Sequence, residues 1–262
     1  MFAEERKQRI LAVLHQKPAV RVTELGRALR VSEASIRRDL ADLERTGLLK
    51  RTHGGAIGAR MAAIEPSLAE KEDQYQAEKA AIARLAATLV QPGDTIFLDA
   101  GSTTRQIARQ LRHHHGITVV TNALNIAWEL ASSDLDLLVT GGQVRRGILS
   151  QVGPLADHVI GAVHVDKLFL GANGVDINKG VTTPNLQEAQ TKRAMVERAS
   201  EVILVADHSK FGRITFGRIC GLDRIHRVIS DDGLPAAAAT ALSALGLKVH
   251  RAPIKGSADR RP

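Results

Sequence analysis

From about residue 77 onward, short apolar runs alternate with helical patterns, and this alternation limits the available folds more than any other feature. Strands are expected at Thr95–Asp99, Thr118–Thr121, Leu135–Thr140, Lys167–Gly171, Val202–Ala206, Arg227–Ser230 and Leu247–His250. Helices are expected between them, over 78–90, 103–113, 123–132, 154–162, 186–200 and 235–245. Such alternation gives a mostly parallel sheet with helices on both faces. Aromatic residues make up only 3% of the chain, so the core must be aliphatic. Val, Ile, Leu and Ala suit parallel strands that are covered on both sides.

The first 57 residues read differently. Ile10, Leu11, Val13 and Leu14 give one helix an apolar stripe. Thr23 can cap a second helix whose buried face is Leu25, Ala28 and Leu29. Ser32 can cap a third, with Ile36, Leu40 and Leu43 inside and Gly47 as its stop. LLKRTHGGAI then has the pattern of a two-stranded wing turning at Gly54–Gly55. Residues 58–76 contain Pro66 and show no clear period, so a linker with a partly helical end is expected. The expected domains are therefore 1–57, the 58–76 linker and an α/β domain over 77–252, with a disordered tail at 253–262.

Charge is concentrated in the first part. Residues 1–60 hold 13 lysines and arginines against 7 carboxylates, an excess of six out of the chain's formal +8. A basic block attracts polyanions through counterion release, or simply keeps a surface solvated. Two short helices around Arg30-Val31-Ser32 describe a helix-turn-helix, whose second helix enters the major groove of duplex DNA. With Ile36, Leu40 and Leu43 inward, Glu33, Ala34, Ser35, Arg37 and Arg38 face outward. Arg37 or Arg38 can grip guanine or phosphate, or form surface ion pairs with Asp39 or Asp42. Ser35 can bond a base edge or a phosphate, and Lys50, Arg51 and His53 on the wing can hold flanking backbone.

In the larger part, polar loops follow the strands. Asp99 leads into Gly101, Ser102, Thr103 and Thr104 at a helix start. There, free N–H groups and hydroxyls form either an anion cradle or a plain helix cap. Thr121 and Asn122, then Gly141 and Gly142, then Gly171 and Asn173, then Asp207, Ser209 and Lys210 follow later strands. Open parallel sheets bind ligands at that edge. Lys210 can balance a phosphate and Asp207 can bond sugar hydroxyls. Glu188 and Lys192 are four apart on one helix face, either as an ordinary pair or as ligand contacts. His113, His114 and His115 end a helix with no carboxylate or cysteine cluster beside them, so neither a metal nor a cofactor is expected. Cys220 is the single cysteine, which excludes an intrachain disulfide. The charged start does not fit a secretion signal, and no run of about 18 apolar residues occurs. A cytoplasmic protein without membrane contact is expected.

The run ELGRALRVSEASIRRDLADLERTGLLKRTHGGA resembles the N-terminal signature of the DeoR family of bacterial regulators, with Ser35 where that pattern usually has Thr. DAGSTT, VTNALNIA, TGGQVRR, DKLFLGANGVD, EAQTKRAM and ADHSKFGR resemble that family's C-terminal effector domain, whose fold is similar to that of ribose-5-phosphate isomerase and glucosamine-6-phosphate deaminase. GANGVDINKGVTTPN is closer to members linked to amino sugars. The resemblance spans residues from about 4 to 252. It implies a winged helix-turn-helix bound to double-stranded operator DNA as a dimer or tetramer, and a phosphorylated sugar or polyol as effector. The expected function is repression of a carbohydrate catabolism operon. The alternative, a sugar-phosphate isomerase or deaminase, leaves residues 1–57 without a role. No spacing in the sequence singles out a catalytic pair for it.

Overall fold

A computed structural model describes residues 3–17, 19–45, 49–52, 54–58 and 67–254. The chain divides into two compact units, one ending at Glu65 and the other starting at Pro66.

The smaller unit contains α1 (Ala3–Gln16), β1 (Ala19–Arg21), α2 (Val22–Leu29), α3 (Glu33–Arg45), β2 (Leu49–Thr52) and β3 (Gly55–Gly58). Ile10, Leu25, Leu29, Ile36, Leu40 and Leu43 converge in its core. The expected inner face of α2 needs correction, because Ala28 is exposed while Val22 and Gly26 are buried with Leu25 and Leu29. Thr23 does not cap α2. The helix begins two residues earlier than that cap implies, at Val22 with Arg21 at the cap position, and the Arg21 N–H donates to Glu24 Oε2 at 3.3 Å. Arg30 ends α2 in the left-handed region, φ +54°, and turns the chain into α3. Ser32 does cap α3, its Oγ accepting from the Ser35 N–H at 3.2 Å. The wing forms as β2 antiparallel to β3, with Thr52 opposite Gly55. The sequence did not suggest β1, which adds on the other edge of β3. Gly55 is needed there, since a Cβ would fall 1.9 Å from the Val20 carbonyl oxygen.

The larger unit runs from α4 (Leu68–Asp73) and α5 (Gln76–Ala87) through β4 (Thr95–Leu98), α6 (Ser102–Leu111), β5 (Thr118–Thr121), α7 (Leu124–Leu130) and β6 (Asp136–Val139). A hairpin of β7 (Gln143–Arg145) and β8 (Ser150–Val152) follows, then α8 (Pro154–Gly161) and β9 (Val165–Gly171). After β10 (Gly174–Asp176) and β11 (Gly180–Thr183) come α9 (Leu186–Glu197), β12 (Ala199–Val205), β13 (Gly217–Cys220), β14 (Arg227–Asp231), α10 (Ala236–Ala244) and β15 (Lys248–Ala252). Seven strands form one parallel sheet in the order β15-β14-β12-β9-β4-β5-β6. Ile96, Leu98 and Phe169 pack on one face, and Phe97, Leu168 and Leu170 on the other. This is the strand periodicity of two, with both faces covered by helices.

The second half of the span expected as linker is ordered. Ser67 caps α4 through a reciprocal arrangement with Glu70, and Leu68 is buried. At the other end, Ile254 lies in the expected tail yet packs against the core, and 255–262 fall outside the described residues.

Candidate functional site

Strands β4, β9 and β12 are neighbours in the sheet and end side by side. A recess with about 50 Å³ of enclosed free space opens there. One wall is the start of α6, where Gly101, Ser102, Thr103 and Thr104 line the space. No side chain caps the N-terminus of α6, so its free N–H groups and dipole favour an anion. Gly171 and Asn173 after β9, Glu188 and Lys192 on α9, and Asp207 and Lys210 after β12 complete the part suggested by the sequence.

Below the recess lies a buried charge network. The Lys192 ammonium donates to Asp99 Oδ2 and to the Gly171 carbonyl oxygen, the latter at 3.1 Å, and lies 3.5 Å from Glu188 Oε1. The Gly171 N–H donates to the same Asp99 oxygen at 2.9 Å. Glu188 Oε2 accepts from Arg145 Nη1 at 2.8 Å and from Thr183 Oγ1 at 3.0 Å. Burial raises the Asp99 carboxyl above its ordinary range, with Lys192 pulling against it. Lys210 sits 3.6 Å from Asp207 Oδ2, and burial lowers its pKa while Asp207 opposes the shift. Asp207 is wholly buried, with Oδ1 accepting from Ser209 and Oδ2 facing the Lys210 ammonium.

Several expected effector residues do not line the recess. Asp99 is wholly buried beneath it in the network just described. Thr121 Oγ1 donates to the Leu98 carbonyl oxygen at 2.7 Å, and Asn122 Oδ1 accepts from the Ala100 N–H at 3.1 Å. Both hold the loop after β4 in shape from behind. Gly142, φ +109°, allows close packing against β8, since a Cβ would stand 2.8 Å from the Val152 carbonyl oxygen. Gly141, φ +69°, turns the chain beside it. Ser209 is spent on Asp207 Oδ1.

Other residues of the recess were not singled out from the sequence. Leu68, Lys71 and Gln74 come from α4 and its end, Lys79 from α5, and Ile148 from the hairpin turn. Lys79 is buried and donates to the carbonyl oxygens of Lys71 and Gln74, the second at 2.5 Å. Burial lowers its pKa to about 8, with Lys210 and Lys71 adding to the effect and Asp207 opposing it. Leu68, Lys71 and Gln74 lie in the span read as linker and Lys79 just after it, where no sequence signal marks them as facing a pocket.

In the smaller unit the outer face of α3 carries Glu33, Ala34, Arg37 and Arg38 in the open, with Ser35 half-buried beside the exposed Ser32. Arg37 pairs with Glu33 at 3.0 Å, both largely exposed. Asp39 instead pairs with Arg6, and Asp42 with Lys7 at 3.1 Å, so neither carboxylate takes Arg37 or Arg38. Thr23 and Arg51 are exposed. His53 and the side chain of Lys50 lie outside the described residues. Among the described residues no group of three or more His, Cys, Asp or Glu is placed to hold a metal ion, and no helix is long and apolar enough to cross a membrane.

A winged helix-turn-helix followed by a parallel α/β domain with a cation-rich recess at its strand ends defines a one-chain DNA-binding regulator with a sensor domain. The comparisons agree with this class. The DeoR-like helix-turn-helix domain matches residues 6–60, and the DeoR C terminal sensor domain matches residues 74–232. The chain belongs to the DeoR family of transcriptional regulators. It is 38% identical over 248 residues to the putative aga operon transcriptional repressor of Escherichia coli O157:H7, covering 94% of this chain and 92% of that one. It is 39% identical over 249 residues to the HTH-type transcriptional regulator GlpR of Haloferax volcanii, covering 95% and 98%. Among solved structures, the ribose 5-phosphate isomerase of Methanocaldococcus jannaschii aligns at a TM-score of 0.39 and 18% identity, over 51% of this chain and 53% of that one.

Proposed function

We propose that the protein represses a carbohydrate-catabolism operon in the cytoplasm and leaves its operator when a phosphorylated sugar or polyol enters the recess. One observation carries this reading. The uncapped start of α6 shares a recess with the ammonium groups of Lys79, Lys192 and Lys210 and with the carboxylate of Asp207. Cations and N–H donors suit a phosphate, and the carboxylate suits the hydroxyls of the same ligand. The names of relatives support a sugar operon, since one is a repressor of an aga operon and another is the lactose phosphotransferase system repressor of Staphylococcus aureus.

The protein binds its ligand without turning it over. Asp99 and Glu188 are engaged by Lys192, Arg145 and Thr183, and Asp207 by Ser209 and Lys210, so each of these carboxylates is poorly placed to accept a substrate proton. The recognition helices act in pairs on two half-sites, so the working form is a homo-oligomer. The deciding experiment is an operator gel shift titrated with a panel of phosphorylated sugars. At least one should release the DNA, without isomerised or deaminated product. Turnover at enzymatic rates, or DNA binding indifferent to every ligand, rejects the reading.

A further inference from the structure

Helix α4 is the first element of the larger unit, starting just past the division after Glu65. Three of its contacts are to groups that belong to the recess or adjoin it. The Leu68 N–H donates to the Gly147 carbonyl oxygen at 2.7 Å, next to Ile148. Glu72 Oε1 accepts from Arg105 Nη1 at 2.7 Å, and Arg105 lies in the first turn of α6, the proposed anion cradle. Lys79 closes the other end of α4 by donating to the Lys71 and Gln74 carbonyl oxygens, as a cation does at a helix C-terminus.

The next residue after Gln74 is the turning point. Tyr75 has φ +54°, a left-handed conformation that a residue with a side chain adopts only when its surroundings hold it. Its ring meets the His208 ring edge to face at 5.2 Å, with Lys210 Nζ 5.8 Å from its centroid. His208 is itself fixed by Asp231 at 2.7 Å. Lys71, Lys79 and Lys210 all line the recess, and their charges oppose one another across it. An anion placed among them removes that opposition and gives α4 a reason to stay down.

We propose that α4 is a latch over the recess, which an anionic ligand locks through Lys71, Lys79 and Lys210, and that locking it fixes the segment by which the chain enters the larger unit. This rests on the reading of the recess as the effector pocket. The ligand shifts the latch only by its preference for the closed arrangement, and the lysine cluster supplies that preference.

Hydrogen exchange on the full-length protein tests it, with inorganic phosphate and glucose 6-phosphate as probes and thermal melting run in parallel. A probe that raises the melting temperature should slow amide exchange across residues 68–79 at least tenfold. Lys79→Met is the direct variant but removes a buried group. Glu72→Gln instead cuts the α6 clamp from outside the recess, and should keep the melting shift while slowing exchange less than threefold. A melting shift with exchange over 68–79 unchanged or faster overturns the latch and leaves the pocket standing. Full slowing in Glu72→Gln also overturns it, because the clamp would then play no part. If neither probe shifts the melting temperature, pocket and latch fall together.

Discussion

Lys192 donates its ammonium proton to Asp99 with both side chains almost wholly removed from water, and the pair sits directly beneath the recess. Removing one partner strands the other charge in the interior, which typically costs about 3–5 kcal/mol. Lys192→Met should therefore lower stability by that order in a urea titration. The double variant Asp99→Asn with Lys192→Met should recover a good part of the loss. Additive losses in the double variant would show that the two side chains do not depend on each other.

Lys210 offers a cleaner way to separate sensing from DNA binding. Its ammonium is held near Asp207 at 3.6 Å and faces the recess, in a unit distinct from the helix-turn-helix. Lys210→Ala should bind operator DNA with unchanged affinity and need at least tenfold more effector to release it. A gel shift reads both quantities, and a normal effector response would remove Lys210 from the pocket.

On α3, Arg37 and Arg38 should differ from Asp39 in what they affect. The exposed Arg37–Glu33 pair contributes between about 0 and 1 kcal/mol to stability. Arg37→Ala or Arg38→Ala should leave the melting temperature nearly unchanged and weaken operator binding by about 1–3 kcal/mol where the arginine reads a base. Asp39→Ala should do the reverse at the level of the fold, since it removes the carboxylate that accepts two hydrogen bonds from Arg6. Binding curves and melts on the same samples distinguish these outcomes.

Lys79 predicts an alkaline gain in stability. Its pKa falls from 10.5 to about 8 in the folded protein, so the unfolded chain holds the proton more tightly between those values. Stability then rises with pH through this window, because the cost of burying the charged form disappears. Compared with Lys79→Met, the wild-type protein should gain from pH 8 to 10 in chemical denaturation. A constant difference between the two proteins across that range would contradict the assignment.

The central sheet was legible because its strands are continuous apolar runs. Phe97, Leu98, Leu168 and Phe169 announce burial on both faces, and loop polarity marked the ligand edge. The short antiparallel pieces of the larger unit were not legible. β8 buries Ser150 and Gln151 with Val152, and β11 buries Thr182 and Thr183, so neither shows an alternation of apolar and polar residues. Within the pocket, residues at strand ends could be picked out by position, whereas Lys71 and Lys79 could not. A lysine on a short helix normally reads as solvated, and only the tertiary placement of α4 and α5 turns these two inward. Thr121, Asn122 and Gly142 had the right composition and edge, but their hydrogen bonds and packing turn them to holding the loops.

The ion pairs from α1 to α3 have a consequence for the small unit's field. Arg6 and Lys7 pair with Asp39 and Asp42, so these two carboxylates of α3 are neutralised without an outward-facing cation, whereas Glu33 draws on Arg37. A nucleic acid approaching this surface meets Arg38 unopposed, and exchanging the charges of α1 alone would dim the attraction at a surface that α1 itself need not touch.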